Sequence, residues 1–136
     1  MSHRPVTVTE AAPKPYGQII ENGPHFIQAD EPNDMGGHNT GSTPFELLCA
    51  ALGACTNMTL RMYAAQKQWP LEHIKTTVSH EKITEGDTKI DIFHREITLT
   101  GPLDDTQRQR LLEIAERCPV SRTLEGNARM AYTLNP

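Results

Sequence analysis

Apolar and polar residues alternate in three short stretches near the start of the chain: Val6-Thr7-Val8-Thr9, Tyr16-Gly17-Gln18-Ile19-Ile20 and His25-Phe26-Ile27-Gln28-Ala29. Pro15 and the Asn22-Gly23-Pro24 turn separate them, so the pattern predicts a meander of three short strands. The segment from Asp30 to Ser42 is rich in Gly, Asn and Asp and lacks apolar periodicity, which predicts a long loop. At Thr43-Pro44-Phe45-Glu46 the signals change together. A capping Thr, Pro at the first helical position and Glu completing a capping box start a helix. That helix runs until Trp69-Pro70 stops it, and its first half is apolar on nearly every side, as expected of a central, buried helix. Alternation returns over His73–His80 and Lys89–Thr100, predicting two long antiparallel strands. A second helix opens at Asp104-Asp105, carries Leu111, Leu112, Ile114 and Ala115 at helical spacing and ends near Cys118-Pro119. Alternation over Ala128–Leu134 predicts a last strand that closes the sheet. No repeat or linker divides the chain, so the expectation is one α+β domain over residues 1–136, with antiparallel sheets around a long central helix.

Composition narrows the possible functions. A chain of 136 residues with 37% hydrophobic and 22% charged residues can bury a core of its own. The net charge of −4 comes from interspersed charges without a basic stripe, and three Phe, three Tyr and one Trp give few stacking platforms, which argues against nucleic-acid binding. No apolar stretch of signal-peptide or membrane-span length follows Met1, so the expectation is a soluble cytoplasmic protein without a membrane partner. Three cysteines are too few for a disulfide framework and none forms a Cys-x-x-Cys pair, leaving packing or chemistry as their role.

Cys55 shares or borders a helix face with Leu48, Ala51, Leu52, Met58, Thr59 and Met62, an apolar setting in which simple packing is the common explanation. Cys49, about 120° around the same helix, reads as a core residue. Cys118 differs: it precedes Pro119 and could cap a short turn running to Thr123, where helix amides and the nearby Arg122 favour a thiolate. Local spacing does not bring Cys55 and Cys118 together across the 63 positions that separate them. The six histidines show no i, i+4 helical pair and no spacing that joins them to a cysteine, so no metal site is expected. A Cys–His hydrolase lacks a nucleophile elbow, and the Gly36-Gly37 and Gly41 loop lacks the Lys of a phosphate-binding loop.

Two segments carry a resemblance. Gly36-Gly37-His38-Asn39-Thr40-Gly41, followed by the helix segment from Thr43 to Thr56, resembles the first signature of the OsmC/Ohr family of thiol-dependent hydroperoxide reductases, and Ala115-Glu116-Arg117-Cys118-Pro119-Val120-Ser121-Arg122-Thr123-Leu124 resembles the second. Their order and the strands between them extend the resemblance over nearly the whole chain. It implies an α+β fold built as an intertwined homodimer, and a peroxidase without metal or prosthetic group that acts on organic hydroperoxides in oxidative or osmotic stress defence. Cys55 matches the peroxidatic cysteine and Cys118 the resolving cysteine, with an external dithiol restoring the pair. Against the Ohr branch, Phe45 follows Pro44 where a Glu is usual, the acid falls at Glu46, and Val6 to Ala29 contains no Arg; the pattern is similar to the general OsmC-like branch. Arg122 or Arg61 then stands as the supporting cation. A second reading is a non-catalytic, stress-related protein that holds a small hydrophobic ligand and uses the two cysteines as a redox sensor.

Overall fold

The computed structural model describes residues 2–136. They fall into two compact units, the first ending at Leu48 and the second beginning at Cys49.

In the first unit, β1 (Thr7–Glu10), β2 (Gln18–Asn22) and β3 (His25–Ala29) form an antiparallel meander in the order β1-β2-β3. Its register pairs Val8 with Ile20 and Ile20 with Ile27. The expected loop follows, containing one 3-10 turn at Asn33–Met35. It is wound around the buried carboxylate of Asp30, whose Oδ1 accepts from the Glu31 amide (2.8 Å) and whose Oδ2 accepts from the His38 amide (3.1 Å), the Thr40 amide (3.2 Å) and the Thr40 hydroxyl (2.9 Å). Gly37 sits so close to the preceding chain that a Cβ there would lie 2.0 Å from the Glu31 carbonyl oxygen. The glycines of this loop thus serve a tight wrap around one anion.

The helix α1 (Pro44–Lys67) opens with the expected capping box: the Glu46 amide donates to Thr43 Oγ1 (3.2 Å) and the Thr43 amide to Glu46 Oε1 (2.8 Å). It ends two residues before Trp69-Pro70. Gln68 takes a left-handed conformation (φ 56°), the Gln68 amide donates to the Ala65 carbonyl and the Trp69 amide to the Ala64 carbonyl, a Schellman arrangement that satisfies the last carbonyls.

In the second unit, β4 (His73–Glu85) and β5 (Thr88–Thr100) form a long hairpin that turns at Gly86-Asp87, with φ 59° at Gly86. Alternation along it turns Ile74, Thr76 and Val78 of β4, and Ile97 and Leu99 of β5, to the covered face. There α1 and α2 (Asp105–Ala115) enclose a core of Leu60, Ala64, Leu71, Leu103, Leu111, Ile114 and Ala115, against which Ile74, Ile97 and Leu99 pack. Gly53 lets α1 come close to the hairpin, since a Cβ at this position would lie 3.3 Å from Val78 Cγ2. A short helix α3 (Pro119–Leu124) completes the unit.

Two expectations change. First, α1 is not enclosed on nearly every side: Leu52, Gly53, Thr56, Leu60 and Ala64 are buried, while Met58 and Met62 are 66% and 65% exposed. One hairpin can cover only one side of a helix. Second, the stretch Ala128–Leu134 forms no strand, and Met130, Tyr132 and Leu134 are exposed. A strand needs a neighbouring edge to satisfy its amides and carbonyls, and this tail pairs with none among the described residues.

The Asp30 anchor makes the first unit sensitive to acid. Burial pushes its carboxyl up, but the four hydrogen bonds more than reverse this and hold it below the ordinary value of 3.8. A carboxylate with a lowered native pKa adds stability that is complete above its unfolded value and is lost as pH falls through the folded value. Asp30→Asn should therefore lower the melting temperature near neutrality, and the gap from the wild type should close below about pH 4. Thermal unfolding across a pH series checks this, and a gap that persists unchanged in acid would refute the role of the charge.

Candidate functional site

Because α1 advances about 100° per residue, neighbouring positions 55 and 56 face different surroundings. Thr56 belongs to the buried face with Leu52 and Leu60, and its hydroxyl donates to the Leu52 carbonyl (2.7 Å). Cys55 is half-buried and, by helical spacing, shares a stripe with Ala51, Met58 and Met62, of which the two methionines are exposed.

Cys118 reaches the same part of α1 from another direction. α2 ends at Ala115, and three residues later Cys118 adopts an extended conformation (φ −62°, ψ 138°) as the N-cap of α3. The expected capping role is present: the Ser121 amide donates to Cys118 Sγ (3.4 Å), with Pro119 in the first turn. The Cys118 side chain is fully buried, and its sulfur lies 3.9 Å from Thr56 Oγ1. The resolving-cysteine candidate thus packs against the residue that follows the peroxidatic candidate. All three cysteines are unbridged.

The cation at this place is Arg95 of β5. Its Nη1 donates to Thr56 Oγ1 (3.0 Å), the Ala115 carbonyl (2.8 Å) and Cys118 Sγ (3.9 Å), and its Nη2 donates to Ser121 Oγ (3.4 Å). Ser121 Oγ in turn donates to Glu125 Oε1 (3.2 Å). One guanidinium joins α1, the end of α2 and the start of α3 to the hairpin. Arg122 is exposed, and its side chain donates no hydrogen bond to either cysteine. Arg61 donates to the carbonyls of Leu71 and Glu72, fastening the segment after α1.

Sequence reasoning passed over Arg95, although a signal was present. In β5 the residues Arg95, Ile97 and Leu99 follow one another at a spacing of two, and cross-strand pairing sets Arg95 opposite Val78. A charged residue in phase with a buried apolar row needs partners inside.

Cys55 has no comparable polar support among the described residues. Met58 and Met62, which share its stripe of α1, line a groove of about 510 Å³ together with Asn57, Arg61, His73 and Ile74. Among the described residues no group of three His, Cys, Asp or Glu side chains is placed to hold a metal ion, and no helix is long and apolar enough to cross a membrane.

Replacing Thr56 by Val keeps the shape of the side chain but removes an acceptor from a half-buried guanidinium. Such a loss costs about 1–3 kcal/mol. Denaturant unfolding should show a destabilisation of that size for Thr56→Val and a smaller one for Thr56→Ser, which keeps the hydroxyl; equal losses would remove the hydrogen bond as the cause.

The family model described as OsmC, OsmC-like protein, matches residues 37–133. No curated protein matches the chain in sequence. Solved structures share its fold. An organic hydroperoxide resistance protein OsmC from Legionella pneumophila superposes with a TM-score of 0.72 at 20% identity, over 93% of this chain and 92% of that one. An OsmC-like protein from Mycoplasma pneumoniae gives 0.72 at 19% identity over 92% and 89%. An organic hydroperoxide resistance protein from Elizabethkingia anophelis, with thiocyanate bound, gives 0.72 at 18% identity over 93% and 91%. The match covers both cysteine-bearing segments and the hairpin between them, and the chain belongs to the OsmC-like family.

Proposed function

We propose that this protein is a thiol peroxidase that reduces organic hydroperoxides through Cys55 and Cys118. The observation that carries the reading is the approach of the buried Cys118 sulfur to Thr56, the residue after Cys55. In the first step the Cys55 thiolate attacks the peroxide oxygen, the O–O bond breaks, and the products are an alcohol and a sulfenic acid on Cys55. Cys118 then attacks the Cys55 sulfur, forming a disulfide and releasing water. An external dithiol restores both thiols by two exchange steps. Each turnover takes two electrons from the dithiol to the peroxide.

The surroundings of Cys55 favour a bulky, apolar substrate over hydrogen peroxide. By helical spacing Cys55 shares a stripe with Met58 and Met62, and these methionines line a groove with Ile74, with Arg61, Asn57 and His73 at its polar parts. Methionine adapts to irregular apolar partners, which suits a class of hydroperoxides with varied tails. Two solved structures that share the fold are organic hydroperoxide resistance proteins.

The working form in this proposal is an intertwined homodimer in the cytoplasm. Two features of the second unit support a partner copy: the exposed methionine stripe of α1, and a C-terminal tail whose Met130, Tyr132 and Leu134 are 73%, 90% and 95% exposed at alternate positions. An extended segment with one apolar side suits addition to the sheet edge of another chain.

Stopped-flow mixing of the reduced protein with cumene hydroperoxide or hydrogen peroxide tests the chemistry. Consumption of cumene hydroperoxide should be the faster, and mass analysis should find a Cys55–Cys118 disulfide. Cys55→Ser should abolish turnover, while Cys118→Ser should stop at sulfenic acid. Reaction no faster than that of a free thiol, with no internal disulfide, would refute the peroxidase. Sedimentation should show a dimer that loses mass when residues 128–136 are removed; an unchanged mass would refute exchange of the tail.

A further inference from the structure

Arg95 makes no direct ion pair: the acid its network reaches, Glu125, is one hydrogen bond further off, through the Ser121 hydroxyl. Among the described residues no carboxylate lies within ion-pairing distance of its guanidinium, and the one ionisable group its hydrogen bonds reach is the Cys118 thiol. Its other acceptors are neutral: the Thr56 hydroxyl, the Ala115 carbonyl and the Ser121 hydroxyl. Charges withdrawn from water are ordinarily paired, because an isolated one loses its solvation without compensation.

The need is mutual. Cys118 is fully buried, so an anion on its sulfur has no water to stabilise it. Two donors already point at that sulfur, the Ser121 amide at 3.4 Å and Arg95 Nη1 at 3.9 Å. The Thr56 hydroxyl has its single hydrogen on the Leu52 carbonyl and accepts from Arg95, so at 3.9 Å from Cys118 it can accept from a thiol but has no hydrogen left for a thiolate. Loss of the thiol proton therefore shifts the balance of contacts at the sulfur toward Arg95.

We infer that Arg95 is the counter-charge of the Cys118 thiolate in the step that closes the disulfide. This rests on the two-cysteine reading and adds a residue to it. The step joins the Cys118 thiolate to the sulfur of the Cys55 sulfenic acid; the S–O bond breaks, and the departing hydroxide leaves as water with the proton Cys118 has given up. Cys118 is oxidised and the sulfenic sulfur reduced, with no further reactant. Since the thiolate is the attacking form, a cation held beside it raises the fraction of molecules ready to react. Once the disulfide forms, the negative charge is gone and Arg95 keeps its neutral acceptors, so the hairpin and the three helices stay joined throughout the cycle.

Two measurements test the inference. In protein carrying Cys49→Ser and Cys55→Ser, the ultraviolet absorbance of the Cys118 thiolate is followed against pH with Arg95 intact, with Arg95→Met and with Arg95→Lys. The thiolate should form at lowest pH with Arg95, at highest pH with Met and between them with Lys, which keeps the charge without the planar fork. In otherwise unmodified protein, single-turnover mixing with cumene hydroperoxide resolves disulfide closure from sulfenic acid formation. Loss of one charge-assisted hydrogen bond corresponds to roughly a tenfold to hundredfold slowing of closure in Arg95→Met. Arg95→Lys should recover part of that rate. Circular dichroism of the Lys variant separates a lost charge from a lost fold. Coincident titrations in the three proteins would overturn the inference. If the titrations separate but the wild type closes no disulfide, the pairing of Arg95 with Cys118 stands, and both its part in closure and the two-cysteine reading fall.

Discussion

A half-buried guanidinium must have its inward-facing donors met, and meeting those of Arg95 ties together four elements in the second unit. Its acceptors come from α1 through Thr56, from the last residue of α2 through Ala115, and from α3 and its cap through Ser121 and Cys118. The apolar core of Leu60, Leu111 and Ile114 supplies cohesion but little direction, since apolar contacts tolerate sliding. Hydrogen bonds from a planar fork do not tolerate it. The position of Cys118 beside α1 follows from that restriction as much as from the chain leading to it.

The two faces of α1 then divide the work. The face carrying Leu52, Gly53, Thr56, Leu60 and Ala64 is committed to the hairpin and α2. Gly53 permits close approach at Val78, the residue paired with Arg95 across the strands, so this close approach lies beside the polar network. The other face holds Met58 and Met62 at the surface, with Cys55 between the two regimes. Under the proposed chemistry this placement lets one sulfur meet a substrate while the second waits in a dry site with its charge provided for. In the proposed dimer, the same exposed face and the C-terminal tail are the surfaces a second copy would cover.

In the first unit the Gly-rich loop has a comparable organising group in Asp30. Its carboxylate accepts from three backbone amides and one hydroxyl, replacing the periodic hydrogen bonds that such a segment lacks. The part of the first family signature from Gly36 to Gly41 is thereby accounted for as structure: small residues wrapped around a buried anion.

Much of this was legible in the chain itself. Alternation located all five strands, helical spacing and the Thr43/Glu46 pair located α1 and its cap, and the Cys118-Pro119 step foretold a capped short helix. These features depend on residues within a few positions of one another, and local sterics and hydrogen bonding decide them. What lay outside the reach of the sequence were matters of long-range pairing. The strand expected at Ala128–Leu134 finds no edge among the described residues, the buried character expected around α1 is confined to one face, and Arg122, four residues after Cys118, stays at the surface. Arg95, 23 residues from Cys118, takes the place beside its sulfur. By itself the sequence determined the helices, the five strands that form and their caps, and it set Cys118 apart at the start of a short helix. Only the tertiary structure decided which cation meets which sulfur, because that choice is made by strand register and by the packing of α1 and α2 on the hairpin, neither of which any short stretch of residues encodes.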